Sequence, residues 1–178
     1  IVTSRSIKKQ PSNYKFLKIH KKIKFEKLDT NKKNQINEIV KKYNPKKIFY
    51  FSGQSSLTKS IRYKKETLIS HFKGTKNFLE ILKNEKLDTK FFKANSGYIF
   101  SPKKGVINLN CKFSLNKNPY IQVQQKVFNL IKKYRAFGLN ASSIVFMQVE
   151  SPLRPNDFFI KKVCLGAKNK KKITVGNI

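Results

Sequence analysis

Short continuous apolar runs alternate with longer amphipathic stretches, and that alternation narrows the folds open to this chain. Lys47 to Phe51 (KIFYF) and Ser142 to Gln148 (SSIVFMQ) each hold a continuous apolar run, IFYF and IVFM, as strands buried on both faces of a parallel sheet do. Thr89 to Ala94 (TKFFKA) and Ile23 to Phe25 are two further strand candidates. Between them, Lys33 to Tyr43 carries Ile36, Ile39 and Val40 at helical spacing, and Asn44-Pro45 stops it, since proline disfavours helix in the residue before it. Leu68 to Leu82 places Leu68, Phe72, Thr75, Phe78, Leu79 and Leu82 along one helical face. Pro119-Tyr120 opens a helix to about Tyr134, with Val123, Val127, Leu130 and Ile131 inward and Gly138 beyond its end; proline suits a first helical turn. Phe100 to Asn118 reads as a loop rich in lysine and asparagine. Strands joined by helical crossovers of this length form a parallel sheet with helices on both faces, an α/β layer fold.

Composition sets the bounds. The 178 residues suit one domain or a large part of a two-domain protein, and 39% hydrophobic residues with 15 Phe and 7 Tyr supply a core. No run of 18 apolar residues is present, so no membrane-spanning helix is expected. The start, Ile1-Val2-Thr3-Ser4-Arg5, has neither an initiator Met nor a signal-peptide pattern and reads as a beginning inside a longer protein. Cys111, Cys164, His20 and His71 lack the spacing of a zinc site. No metal is expected, and two reduced thiols in a cytoplasmic protein are.

The net charge is +31, from 40 basic and 9 acidic residues. Arg5, Arg62, Arg135 and Arg154 are the only arginines, whereas bidentate recognition of bases and phosphates relies mostly on arginine. The lysines are spread over every expected element alongside abundant Asn, Ile and Phe, as an A+T-rich coding bias would produce. Solvated surface is therefore favoured over a polyanion site, and nucleic acid is not an expected partner.

In open parallel sheets, ligands bind beyond the carboxyl ends of the strands. There stand Asp29, Ser52-Gly53-Gln54-Ser55, Asn95-Ser96-Gly97-Tyr98 and Gln148-Val149-Glu150. Ser-Gly-Gln-Ser fits a close ligand approach and an ordinary turn about equally. Ser96 and Tyr120 together suggest proton transfer, a weak signal by itself. The seven glycines form no G-x-G-x-x-G or G-x-x-G-x-x-G, so the sequence contains no phosphate cradle of that kind.

Glu150-Ser151-Pro152-Leu153-Arg154-Pro155, followed by Phe158 and Lys161-Lys162, resembles the N-H-E-S-P-x-R-x-x-x-F-V-T-R-K segment of GDP-mannose 4,6-dehydratases. These belong to the extended short-chain dehydrogenase/reductase superfamily, with its NAD-dependent epimerases and dehydratases. Other pieces follow in the same order. Ile48 to Ser55 is similar to I-Y-N-L-A-A-Q-S, Gly74-Thr75 with Leu79-Glu80 to G-T-x-x-L-L-E, and Phe92 to Gly97 to F-Y-x-A-S-S/T-S/G. Asn118-Pro119-Tyr120 resembles S-P-Y, and Gly176-Asn177-Ile178 the start of L-G-N-L.

The resemblance implies a Rossmann-like parallel sheet, incomplete at both ends. Residues 1–148 would form a partial NAD(P)-binding domain without its first strand and glycine-rich loop, and 149–178 the start of a substrate-binding region. It implies NADP as cofactor, held by Arg5 at the 2′-phosphate, Asp29 and Thr30 near the adenine, and Phe51, Ser52, Gly53, Gln54, Ser55, Tyr120 and Arg154. Ser96 and Tyr120 would be catalytic. Gln148, Glu150, Lys161 and Lys162 would meet GDP-mannose or another nucleotide sugar. The reaction implied moves hydride from sugar C4 to NADP, eliminates water across C5–C6 and returns hydride to C6. A homo-oligomer is compatible with this family.

Two catalytic positions depart from the pattern, and so do Val149, Gln148 and Glu66, which stand where the family has a His, an Asn and a cofactor-contacting Tyr. Gln124 stands where the family has a lysine four residues after the tyrosine, and Tyr98 where it has a glutamate for the elimination step. Lys126, six residues after Tyr120, points to another side of the helix. A tyrosine without such a cation holds little phenolate at neutral pH, so lowered or absent catalysis is expected. The alternatives are a non-catalytic homologue binding a nucleotide sugar or a partner and, less favoured, a lysine-rich polyanion-binding module.

Overall fold

Five parallel strands organise the chain, in a computed structural model that describes residues 1–6, 12–102, 105–108 and 110–174. Strands β1 (Val2–Ser4) and β2 (Phe25–Lys27) form one sheet. Strands β3 (Lys47–Tyr50), β4 (Lys90–Ser96) and β5 (Ala141–Phe146) form a second, in that order. In the larger sheet Lys47 pairs with Lys90 and Phe91 with Ala141, which fixes the pleat: Phe91, Lys93 and Asn95 share one face with Tyr50. The sequence suggests one continuous parallel sheet; among the described residues β1 and β3 are not hydrogen-bonded to each other.

The helices are α1 (Ser12–Phe16), α2 (Lys33–Tyr43), α3 (Leu57–Arg62), α4 (Lys64–Leu68), α5 (Gly74–Asn84), α6 (Pro119–Ala136) and α7 (Phe159–Lys168). None of them is long and apolar enough to cross a membrane. The span of α2 agrees with the sequence pattern to the residue. Its end is set by Asn44, whose left-handed φ of 37° lets its N–H reach the Val40 carbonyl at 2.8 Å before Pro45. At the start of α6 the Asn118 side chain accepts from the Tyr120 N–H at 2.9 Å, with Pro119 in the first turn.

Ile36 and Val40 of α2, Phe78, Leu79 and Leu82 of α5, and Val123, Val127 and Ile131 of α6 meet Tyr50, Phe91 and Ala141 in one core. Each fully buried side chain of this size contributes roughly 1.5–3 kcal/mol. On the other face of the larger sheet Phe49 stacks on Phe92 at 5.0 Å between ring centroids, and Phe49 and Phe51 are largely exposed. Gly74 is where the sheet and α5 come closest. A Cβ there would lie 2.1 Å from the Tyr50 hydroxyl, which donates to the Ser70 carbonyl at 2.7 Å.

Two sequence expectations are corrected in detail. Helical structure begins at Lys64 rather than Leu68, and Ile69–Lys73 form a π-helical turn between α4 and α5. The wider turn shifts the inward face, so Thr67 and His71 are buried while Leu68 is exposed. The Lys- and Asn-rich segment before α6 is also more ordered than its composition suggests. Phe100 and Phe113 form an antiparallel bridge, and the Gln125 amide donates to the carbonyls of Ile99 and Ser114. Gly176-Asn177-Ile178 lie outside the described residues.

Candidate functional site

A cleft of about 590 Å³ opens beyond the carboxyl ends of β3, β4 and β5, where a parallel α/β sheet places its ligands. Phe51, Gly53 and Ser55 enter it from the turn after β3, Ser96 and Tyr98 from the end of β4, and Tyr120 and Gln124 from the first two turns of α6. Gln148, Glu150, Arg154 and Lys162 come from the segment after β5 and from α7. Residues distant in the sequence therefore converge on one opening.

The floor is polar and buried. Tyr120, His71, Gln124 and Lys93 are 8%, 4%, 2% and 1% exposed, and all four line the cleft. The Nε2 of His71 lies 2.7 Å from the Gln54 carbonyl. A carbonyl only accepts, so Nε2 carries the hydrogen and Nδ1 is a bare acceptor, buried without a partner among the described residues. Burial, then the nearby Lys93 amine, pushes the imidazole down to about 4. Its ring meets that of Tyr120 edge to face at 5.6 Å. Gly53 makes room for it: at a φ of 141°, a Cβ there would stand 2.1 Å from the His71 Cε1.

Lys93 projects from the middle of β4 and donates to the Ala94 carbonyl at 2.7 Å, with its Nζ 5.1 Å from the Tyr50 ring centroid. Burial alone lowers its amine to about 7. On α6, Gln124 is tied to the sheet through its own carbonyl, which accepts from the Asn95 amide at 3.1 Å. Its side-chain Oε1 is buried with no partner among the described residues. At the lip, Arg154 lies over the Phe158 ring at 3.9 Å, with its Nε 3.8 Å from Glu150, and the Gln148 amide donates to Glu150 at 3.0 Å.

The other residues singled out in the sequence lie apart from this lining. Gln54 is a turn residue: its amide nitrogen donates to the Ser56 carbonyl at 2.8 Å, and its Oε1 accepts from the Ser56 N–H. Ser52 precedes Gly53 in the same turn but does not line the cleft. Lys161 donates to the Pro152 carbonyl at 2.8 Å, whereas the Lys162 amine lines the cleft and also reaches the Thr174 carbonyl. Arg5 follows β1 and faces Glu66 at 4.0 Å. Asp29 accepts from the Asn31 N–H at 3.0 Å, and Thr30 lies 3.1 Å from the Tyr50 hydroxyl. Arg5, Asp29 and Thr30 thus stand at the carboxyl end of the smaller sheet.

His71 and Lys93 are the floor residues that sequence reasoning missed. His71, at i+3 from Leu68 and i−4 from Thr75, falls on the helical face read from the sequence but carries no motif that sets it apart, and nothing marks Lys93 among so many lysines until the β4 register is known.

The model of one protein family, described as GDP-mannose 4,6 dehydratase, matches residues 3–178. The chain belongs to the GDP-mannose 4,6 dehydratase family. No curated protein matches its sequence. Among solved structures, UDP-glucose 4-epimerase from Thermus thermophilus, in complex with NAD, superposes with a TM-score of 0.79 at 17% identity, covering 97% of this chain and 55% of that one. L-threonine dehydrogenase from Clostridium difficile gives 0.71 at 26% identity, with 86% and 46% covered. DesIV, the dTDP-glucose 4,6-dehydratase from Streptomyces venezuelae with NAD and TYD bound, gives 0.76 at 12% identity, with 89% and 49% covered. The fold is Rossmann-like, and the chain spans about half the length of each of these neighbours.

Phe51 offers an exposed ring at the opening, whereas the space beside Gly53 is filled by the His71 ring.

Proposed function

We propose that the cleft binds a nicotinamide dinucleotide, NADP, together with a nucleotide sugar, GDP-mannose, in a full-length protein built on the 4,6-dehydratase plan. The convergence of Ser96, Tyr120, Arg154, Glu150 and Lys162 on one opening at the carboxyl ends of β3 to β5 carries this proposal. The neighbouring epimerase and dehydratase, both solved with NAD, support a dinucleotide of this class.

When bound, the dinucleotide supplies reversible hydride acceptance. The chain supplies orientation and proton movement. As a phenolate, Tyr120 would take the proton of the sugar hydroxyl being oxidised and become the phenol, while the Ser96 hydroxyl would donate a hydrogen bond to that sugar oxygen. Gln148, Glu150, Lys161 and Lys162 hold the sugar-nucleotide side, and Arg154 the cofactor. At the far end Arg5 meets the 2′-phosphate, with Asp29 and Thr30 beside the adenine. A further parallel strand between β1 and β3 would join the two sheets and carry the phosphate-binding turn. Residues 1–148 then form the dinucleotide-binding part and 149–178 begin the sugar-binding part.

Gln124 and Tyr98 weaken the proton transfers, because a positioned acid or base contributes about 10²–10⁴-fold. The decisive experiment uses the full-length protein and its Gln124→Lys/Tyr98→Glu variant, with calorimetric titration of NADP and GDP-mannose and an assay of GDP-mannose dehydration. Binding of both ligands by both proteins is expected, with turnover at least about 10²-fold faster in the variant. Binding without turnover in either protein would make the chain a non-catalytic binder. Failure of both proteins to bind would overturn the proposal.

A further inference from the structure

A buried amine without an acidic partner is costly, because its charged form loses water and gains no counter-charge. Lys93 is in that position. Its Nζ meets a neighbouring carbonyl and an aromatic face, and no ion pair is made to it among the described residues. The neighbouring inward positions on β4 are Phe91 and Asn95. Asn95 spends its amide on the backbone of Gln124, so β4 and α6 are in register where both Lys93 and Gln124 reach the cleft. An ammonium offers only donors, and two remain after the bond to Ala94; the bare Oε1 of Gln124 offers only an acceptor. A ligand hydroxyl is complementary to that pair, since it accepts with a lone pair and donates its own hydrogen.

We propose that Lys93 and Gln124 are a hydroxyl-recognition pair on the floor of the cleft, in which Lys93 donates to a sugar or ribose hydroxyl of the ligand and Gln124 accepts from it. Lys93 thereby places on β4 the cation that α6 lacks. The inference rests on the preceding proposal that the cleft holds a dinucleotide and a nucleotide sugar.

The groups facing Lys93 are His71 from the π-helical turn and Tyr50 from β3, and the cleft it lines also holds Tyr120 from α6 and Glu150, Arg154, Asp157 and Lys162 at the lip. His71, held neutral by burial, carries no charge above about pH 6, so the titrating floor cation near neutrality is Lys93.

The test titrates NAD and NADP onto the full-length protein between about pH 6 and 9, around the lowered range of the buried amine. In the parent, affinity falls as pH rises through neutrality. Lys93→Met lowers affinity about tenfold at the acidic end and removes that slope, as loss of a charge-assisted hydrogen bond does. Gln124→Leu lowers affinity similarly but keeps the slope. The exchange Lys93→Gln/Gln124→Lys, which trades donor and acceptor, restores tight binding. Parent-like affinity and slope in Lys93→Met would overturn the pair while leaving the dinucleotide proposal standing. A parent that binds neither NAD nor NADP would overturn both.

Discussion

Lys93 faces the helices from a position where a sheet residue is ordinarily apolar, and its amine, lowered by burial to about 7, makes stability depend on pH. Between about pH 7 and the unfolded value near 10.4 the unfolded chain binds more protons than the folded one, so stability rises with pH across that window. His71, at about 4 in the folded chain, acts in the same direction between about pH 4 and 6.5. Lys93→Met should therefore be more stable than the parent at pH 7, by a few kcal/mol at the order-of-magnitude level, with the difference shrinking toward pH 10. Urea denaturation of both proteins across that range checks this, and parallel profiles would contradict it. Gly53→Ala should cost about 1–3 kcal/mol, since the new methyl group combines a strained φ with the loss of the His71 position. In the sequence the Ser-Gly-Gln-Ser turn could be singled out but not explained. The reason for Gly53 is a histidine 18 residues away, which becomes a neighbour only once the π-helical turn is formed.

At the level of elements, the sequence was most legible where local chemistry decides. Asn44-Pro45 ends α2 and Asn118-Pro119 opens α6, each through one side chain or one backbone angle. Asn118 also reaches across to α3, accepting from Ser60 at 3.0 Å and donating to the Leu57 carbonyl at 3.2 Å. Asn118→Ala should therefore cost about 1 kcal/mol for the cap, and more for the lost cross-link. Thermal denaturation of the variant reads the sum; an unchanged midpoint would show that neither bond contributes. Less was legible where periodicity had to carry the argument. β1 is three residues long and α3 six, too short for either pattern to emerge. The helix through His71 changes register midway, so a single 3.6-residue face misassigned Leu68. Strand positions in KIFYF were plain, but which face bears Lys93 depended on pairing with β3 and β5.

Across the whole molecule, 40 cationic and 9 anionic side chains repel one another in the folded state more than in the expanded chain. Added salt screens that repulsion, so the melting temperature should rise with sodium chloride; a steady fall would contradict this. Of these lysines Lys93 and Lys162 line the cleft, where Arg154 pairs with Glu150 and Asp157 with Lys59. The alternation of strand and helix from β2 to β5, and the end of the sheet where the cleft lies, followed from the sequence because crossover length and strand polarity constrain both, whereas β1, α1, α3 and α7 did not. The separation into two sheets did not follow, because it depends on which strand edges meet in space. The most direct measurement is a calorimetric titration of NADP onto the full-length protein and onto Phe51→Glu, which alters an exposed ring at the cleft without disturbing the core. Saturable binding at one site per chain, weakened at least about tenfold by the new carboxylate, is the predicted result. Absence of binding, or equal binding by both proteins, would contradict a dinucleotide site in this cleft.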